Sequence, residues 1–328
     1  MPLRFGILTA AHVHTGAYVS ALKANPDAEI VGLWDDEAER GQAFCQQMGI
    51  AFTGYLDDLI AACDAVVITS ENLRHRELGV MAAEAGKHIL CEKPLVTSEE
   101  DGAALLGAVE KAGVKLMTAF PCRFAAAYLK LKQKVRAGEI GRVRAICATN
   151  RGRCPFLWFV DKSKSGGGAM IDHVVHVTDL LRDLLGEEPV RVQAQIGNNT
   201  YGNDWDDTAM LTLEFPSGIF ATLDSSWSRP QTYRTWGDVT MNVIGDLGTI
   251  EMNMFGTETQ VTTLSGKPVY SSYGWGSGSD DAMVNEFVAA VLEDREPLVT
   301  GFDGLQAARV AVAGYKSAET GEVVAVAA

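Results

Sequence analysis

The sequence has few features that would tie it to nucleic acid, to a membrane or to an oxidising compartment. Lysine and arginine number 28 against 42 aspartates and glutamates, and the net charge of −14 disfavours polyanionic partners, which require basic patches. No apolar run approaches the roughly 18 residues of a membrane-spanning helix. The six cysteines include no C-x-x-C pair, which indicates reduced thiols. We therefore expect a soluble, cytoplasmic protein that binds neither nucleic acid nor a membrane.

The chain is long enough for two domains, with 328 residues of which 47% are hydrophobic. Up to residue 120, strand-like runs alternate with helical patterns, which predicts an α/β domain with a doubly wound parallel sheet. The predicted strands are 3–9, 28–34, 64–69, 88–91 and 114–120. Between them, helices are expected at 16–24, 37–48, 72–85 and 99–111, the last with Ser98 as its N-cap.

The second predicted domain, residues 121–328, combines helices with an open and mostly antiparallel sheet. Its strands are expected at 190–196, 208–215, 219–225 and 239–244, joined by short turns. A final helix at 304–319 is expected to pack back on the first domain, 1–120.

The most informative motif is the glycine run at 166–168, followed by Asp172 and His176. Residues four apart share one face of a helix, so both side chains can address one small molecule. Glycines allow backbone to approach a ligand closely. The alternative is structural, with Asp172 as a helix-start residue and His176 as a core residue among valines. A second polar cluster, Cys91-Glu92-Lys93-Pro94, ends a predicted buried strand, and two such clusters suggest one site.

The turn after the first strand lacks the glycines of the dinucleotide-binding pattern G-x-G-x-x-G. Thr9, Ala11 and His14 stand in the three glycine positions. Asp35, at the end of the second predicted strand, stands where an acid accepts hydrogen bonds from the adenosine ribose. Adjacent carboxylates repel a 2′-phosphate, so NAD is favoured over NADP. The alternative is that these acids form a solvated helix N-terminus.

The sequence His12-Val13-His14 has the spacing of a chelating pair. With no third ligand nearby in the sequence, no metal site is predicted. His12 is expected instead to face the cofactor.

With these motifs, the chain resembles the glucose-fructose oxidoreductase and inositol dehydrogenase family (Gfo/Idh/MocA) over essentially its whole length. The resemblance is carried by the segments 72–75, 86–94, 123–124 and 166–168, and by Asp172, His176 and Asp179. It implies a Rossmann domain before an α/β domain, assembly into dimers or tetramers, and NAD(P)-dependent chemistry at a carbinol carbon of a sugar, cyclitol or related polyol. Two departures are the missing glycines and Trp158-Phe159, where many relatives have Trp-Arg. The glycine-poor turn also resembles that of 1,5-anhydrofructose reductases.

The resemblance assigns the site residues. His176 is expected to be the general acid/base, Lys93 to stabilise the oxyanion and Asp172 to orient substrate, with Asp179 steadying the imidazole. His173 points partly elsewhere. Arg123 and Trp158 are expected to bind substrate, although Trp158 equally fits a core position. The expected cofactor residues are Thr9, Ala11, His12, Asp35, Thr69, Ser70, Asn72, His75, Glu92 and Lys93.

Three functions are consistent with these residues. The first is an NAD-dependent sugar or polyol oxidoreductase. The second is a redox-neutral lyase or glycosidase that retains NAD, and the third is a sugar- or nucleotide-sensing regulator without chemistry. The presence of Lys93, Asp172 and His176 favours the enzymes, because a sensor has no need of a proton-transfer set.

Overall fold

The structure is a computed structural model that describes residues 1–233, 235–256, 258–263, 269–274 and 278–327. The chain forms two compact units. The first consists of Met1–Pro121, Phe156–Gly167 and Asp280–Val312, and the second of Cys122–Pro155, Gly168–Ser279 and Ala313–Ala328. None of the helices in the described ranges has the length and apolar content needed to cross a membrane.

Helices and strands alternate through most of the chain. In chain order they are β1 (Leu3–Leu8), α1 (Thr15–Ala24), β2 (Ala28–Trp34), α2 (Ala38–Met48), α3 (Leu56–Ala62), β3 (Ala65–Ile68), α4 (His75–Glu84), β4 (His88–Cys91), α5 (Glu99–Ala112), β5 (Leu116–Thr118), α6 (Ala126–Arg136), β6 (Val143–Gly152), α7 (Lys162–Ser165), α8 (Ala169–Leu185), β7 (Arg191–Gly197), β8 (Thr208–Glu214), β9 (Phe220–Ser226), β10 (Gly237–Gly245), β11 (Thr249–Asn253), β12 (Glu258–Thr263), β13 (Val269–Gly274), α9 (Ser279–Leu292), α10 (Gly301–Thr320) and β14 (Val324–Ala325).

The first unit is built on a five-stranded sheet in the order β2-β1-β3-β4-β5. All its strand pairs are parallel, which confirms the predicted α/β class and the five predicted strands. Every residue of β3 is buried, as expected for a strand covered by helices on both faces. Ser98 caps α5 as predicted, its hydroxyl accepting the Asp101 N–H at 3.2 Å.

Two later segments complete the first unit. Phe287 of α9 packs edge-on against Phe5 of β1, with ring centroids 6.1 Å apart. Leu305 of α10 belongs to the same hydrophobic core as Leu105 and Leu116. Gly102 of α5 permits this packing, because a Cβ there would lie 2.4 Å from Leu305 Cδ1 if nothing moved.

The second unit is built on a seven-stranded sheet in the order β11-β10-β6-β9-β8-β7-β14. Its pairs are antiparallel except β6 with β9, so the predicted mostly antiparallel sheet and its four predicted strands are confirmed. β8 alternates strictly, with Ala209, Leu211 and Leu213 buried and Met210 62% exposed. One face of the sheet therefore contributes to the core and packs against α8.

The structure differs from the sequence predictions at several elements. α3, β6 and α9 were not predicted. The helix expected at 72–85 starts as a 3₁₀ turn, Asn72–Arg74, and becomes α-helical only at His75. It ends at Glu84, before Gly86 adopts a left-handed conformation with φ of 71°.

Candidate active site

The turn between β1 and α1, residues 9–14, is the predicted cofactor turn, and it folds without the glycines of the dinucleotide-binding pattern. Thr9 has φ of 71°, a left-handed conformation that glycine adopts at far lower cost. Reciprocal bonds hold it there: the Thr9 hydroxyl donates to the Thr69 carbonyl at 2.9 Å, and the Thr69 hydroxyl donates to the Thr9 carbonyl at 2.7 Å. The His12 N–H also donates to the Thr69 carbonyl, at 3.0 Å. The turn precedes the ten-residue helix α1, whose N-terminal amides suit a phosphate, so the residues present fit a dinucleotide.

Trp158 lies against this turn. Its indole N–H donates to the Ala11 carbonyl at 2.9 Å, and its ring stacks on Phe159 with centroids 3.9 Å apart. Both rings lie next to His12, with centroids 5.9 and 5.2 Å from the imidazole. The sequence predicts Trp158 either as a stacking face for substrate or as a core aromatic. The side chain is 8% exposed and supports the β1–α1 turn, and its contact with substrate stays a prediction.

Asp35 is buried at the end of β2, and its carboxylate accepts four hydrogen bonds. The donors are the Ala10 and Glu37 N–H groups, both at 2.8 Å, and the Arg40 guanidinium at 2.6 and 2.9 Å. Arg40 is also paired with Asp36 and Glu37. Asp35 thereby ties β2 to the cofactor turn, and its binding to ribose stays a prediction. The surrounding acids compensate Arg40 and also Arg74, which pairs with Asp36 at 2.9 Å, and both cations would otherwise attract a 2′-phosphate.

Glu92, at the end of β4, joins two histidines of the turn. Its Oε1 lies 3.0 Å from His14 Nδ1 and 3.3 Å from His12 Nδ1, and accepts the Tyr18 hydroxyl at 2.5 Å. Burial alone would raise the pKa of Glu92, but His12, His14 and Lys93 outweigh it and hold that pKa well below its usual range. Burial likewise disfavours the charged form of His14. The nearby Glu92 carboxylate outweighs this effect and raises the pKa of the His14 imidazole. Glu92 is therefore an anion among histidines.

The remaining predicted cofactor residues lie at the ends of β3 and β4. Ser70, Asn72, His75 and Lys93 are all buried, and the Lys93-Pro94 peptide is cis. The Asn72 amide donates to the Ser165 carbonyl at 2.8 Å. His75 Nδ1 lies 2.9 Å from the Pro94 carbonyl, and burial lowers the pKa of this imidazole. The carboxyl ends of neighbouring parallel strands thus present these groups at one edge of the sheet, where open α/β sheets bind ligands.

In the second unit, the N-terminus of α8 is held by a distant carboxylate. Asp206 accepts the Gly168 N–H at 3.0 Å and the Met170 N–H at 2.7 Å, and the Tyr315 hydroxyl donates to it at 2.9 Å. A Cβ at Gly168 would overlap the Asp206 carbonyl and lie 2.8 Å from Asp206 Oδ1. Gly168 is therefore required by a close approach to the protein's own backbone at Asp206.

Asp172 is the centre of a buried hydrogen-bonded group. Its Oδ2 accepts the Trp227 indole N–H at 3.0 Å and lies 3.1 Å from His173 Nε2. His173 Nδ1 lies 2.9 Å from the Asn150 carbonyl, which only accepts, so Nδ1 carries a proton. His173, to which the sequence assigns no role, therefore links Asp172 to Asn150 of β6.

His176 lies one turn along α8 and is 9% exposed. Its Nδ1 is 3.9 Å from the Cys122 thiol, so Nε2 lies on the side of the ring away from that thiol. Asp179, which is expected to steady this imidazole, is the bidentate partner of Arg123, with one bond of 2.9 Å from Nε to Oδ2. The predicted substrate residue Arg123 is therefore also engaged in an ion pair, with both side chains largely buried.

Sequence reasoning assigned no role to four residues around the candidate site, because their partners are far away in the sequence. The contacts are those of Tyr18 with Glu92, His173 with Asn150, Trp227 with Asp172 and Asp206 with the start of α8. His173 alone had a signal, since it adjoins Asp172 in the sequence.

A doubly wound parallel sheet with a dinucleotide turn, together with a buried aspartate and histidine one helical turn apart, defines a class: the dinucleotide-dependent oxidoreductases. Residues 4–120 match the family model described as "Oxidoreductase family, NAD-binding Rossmann fold", and residues 128–251 match the "GFO/IDH/MocA C-terminal domain". The chain belongs to the Gfo/Idh/MocA oxidoreductase family, and its first unit is of the NAD-binding kind.

Named relatives match the chain over nearly its full length. It is 28% identical to a 1,5-anhydro-D-fructose reductase of Ensifer adhaerens, with 97% of each chain covered. It is 31% identical to an inositol 2-dehydrogenase of Rhizobium meliloti, again with 97% of each covered. A solved structure of levoglucosan dehydrogenase with NADH and levoglucosan superimposes with a TM-score of 0.86 at 25% identity, covering 100% of both chains.

Proposed function

We propose that this protein is an NAD-dependent oxidoreductase acting on a carbinol or carbonyl carbon of a sugar, cyclitol or related polyol. The observation that carries the proposal is the presence of Asp172 and His176 one turn apart on α8, both less than 10% exposed. Burying two titratable groups in one helix is costly unless they are paired or used. The relatives' names, inositol dehydrogenase and anhydrofructose reductase, support polyols and cyclic sugars as the substrate class.

In this proposal the bound nicotinamide cofactor would accept the hydride from the substrate or, in the reverse direction, donate it. As the carbinol carbon loses its hydride, the hydroxyl proton passes to His176 Nε2, the ring nitrogen on the side away from Cys122. Lys93 donates a hydrogen bond to the same oxygen and stabilises its developing negative charge. Asp172, held by Trp227 and His173, accepts hydrogen bonds from neighbouring hydroxyls and so orients the reacting one.

The cofactor assignment rests on the turn and on β2. Thr9, Ala11 and His12 would hold the pyrophosphate and adjacent ribose, and Asp35 or its acidic neighbours the adenosine ribose. The carboxylates around Arg40 disfavour NADP.

The first test is thermal unfolding of the purified protein with NAD, NADP or neither, after checking for carried-over nucleotide. Binding raises the midpoint, and a shift with NAD alone is expected. Cyclitols and anhydro sugars are then screened for NADH formation. Lys93→Met and His176→Gln should each lower kcat at least about a hundredfold, whereas the matched controls Lys111→Met and His88→Asn should not.

The outcomes separate the alternatives. Near-normal turnover in both folded site variants would refute the proposed roles of Lys93 and His176. Substrate conversion without net NADH formation would replace the proposal with a redox-neutral enzyme. Absence of both NAD binding and conversion would leave the sensing role.

We also propose a homodimer or homotetramer. The outer face of the second unit's sheet is open, with Met210 62% exposed at its outward position in β8. Light scattering after size-exclusion chromatography tests this, and a strictly monomeric protein would refute it.

A further inference from the structure

We propose that His12, His14 and Glu92 form a binding site for a divalent transition-metal ion of the zinc class. This goes beyond the proposed oxidoreductase function, which needs no metal. The two histidines come from the β1–α1 turn and the glutamate from the end of β4, 78 residues from His14. No metal was predicted because the sequence offers no third ligand near H-x-H, and the fold brings one.

The distances suit a tetrahedral ion. One ligand atom from each residue can be chosen so that all three lie within 4.8 Å of one another. Glu92 Oε1 lies 3.0 Å from His14 Nδ1 and 3.3 Å from His12 Nδ1. Ligands about 2.0–2.1 Å from a tetrahedral zinc ion are about 3.3–3.4 Å apart. These two contacts therefore need movements of only a fraction of an ångström, while the remaining separation between the histidine ligand atoms, at most 4.8 Å, closes by up to about 1.5 Å.

The ligand types also favour a metal. Both imidazoles turn Nδ1 toward Glu92 Oε1, so an ion placed there would meet two ring nitrogens and a carboxylate oxygen. Binding requires both nitrogens to be deprotonated, and the ion would replace their contacts with the carboxylate. Two imidazoles with one carboxylate are a set typical of zinc, whereas Mg²⁺ and Ca²⁺ prefer oxygen ligands alone.

The surroundings hold the ligands in place. The Tyr18 hydroxyl donates to Glu92 Oε1 at 2.5 Å, and the Lys93 N–H donates to Oε2 at 2.9 Å. The His12 side chain is 1% exposed and lies beside Trp158 and Phe159, while that of His14 is 36% exposed. His14 thus gives an ion a route in from solvent. Three protein ligands leave a fourth position for water or another ligand.

The test uses the full chain, stripped with a chelator and then titrated with Zn²⁺ or Mg²⁺ by calorimetry, with zinc content measured after dialysis. One zinc ion per chain is expected, with Mg²⁺ binding much more weakly. His14→Asn and Glu92→Gln should each weaken zinc binding at least about a hundredfold, since even supporting residues of metal sites contribute about 10–100-fold. The control His88→Asn changes a histidine outside the site and should bind as wild type.

Cobalt provides a second readout, because Co²⁺ in a tetrahedral site absorbs visible light strongly and His14→Asn should abolish that absorption. Wild-type zinc binding no tighter than that of His14→Asn, or equal binding of Mg²⁺, would overturn the proposal. Should Glu92→Gln not fold, His14→Asn decides, because its side chain is partly exposed. NAD binding of the stripped protein is measured separately: its loss counts against the oxidoreductase proposal, and missing zinc binding counts against the metal site.

Discussion

Replacing Gly168 by alanine should destabilise the second unit and displace α8. The added Cβ would overlap the Asp206 carbonyl, which is backbone and cannot rotate away, and would lie 2.8 Å from Asp206 Oδ1. Overpacking of this kind costs about 1–3 kcal/mol. Moving Asp206 also weakens its bonds to the Gly168 and Met170 N–H groups, and each hydrogen bond to a charged group is worth about 1.5–3 kcal/mol.

The expected loss is therefore about 3 kcal/mol, with lower activity because Asp172 N–H bonds to the Gly168 carbonyl. Gly107→Ala is the matched control, since Gly107 lies within α5 and nothing lies within 4 Å of an added Cβ. Alanine there should stabilise by about 0.5–1 kcal/mol. Calorimetric unfolding of both variants measures the difference. A Gly168→Ala protein within about 1 kcal/mol of wild type would refute the close approach to Asp206.

Three further outcomes are expected. His173→Gln disturbs the contact that holds Asp172 in place, so kcat should fall roughly tenfold or more; an unchanged kcat contradicts a positioning role for His173. Asp35→Asn removes the buried carboxylate that holds Arg40 and leaves Arg40 to its more exposed partners Asp36 and Glu37, so the preference for NAD over NADP, measured by calorimetry, should fall about tenfold; an unaltered ratio removes Asp35 from cofactor selection. Burial lowers the pKa of His75, so the unfolded chain binds that proton more readily. Its contribution to stability is full above the ordinary value of 6.5 and is lost as the pH falls below it, and thermal midpoints of His75→Gln should decline less on acidification.

The regular parts of both sheets could be predicted because their strands are apolar or alternate clearly. β3 is buried throughout and β8 alternates along its length, and both patterns are visible in the amino-acid sequence. β6 was missed because two of its buried positions are Asn150 and Gly152 rather than apolar residues, and α3 because seven residues make barely two turns. Predictions from periodicity fail where an element is short or half-buried on both faces.

The site could be predicted where function lies within one helix or strand end. Asp172 and His176 are four residues apart, so helical geometry alone brings them together. No local rule connects Trp158 to Ala11 across 147 residues or pairs Arg123 with Asp179 across 56. Such pairs depend on how distant segments pack, which one sequence does not contain. The contacts of Trp158 with the cofactor turn and of Asp179 with Arg123 were therefore beyond the reach of sequence patterns.

The first unit is built from three separate segments of the chain, which limits where the protein can be cut into independently folding fragments. Residues up to Pro121 contain all five strands of its sheet, yet Phe5 packs against Phe287, and the core around Leu105 includes Leu305. A fragment ending at Pro121 would leave those apolar surfaces exposed to water and would lack the segment that carries Trp158. During synthesis the same surfaces stay exposed until α9 and α10 have been translated. Swapping cofactor-binding halves between relatives thus requires three exchanged segments rather than one junction.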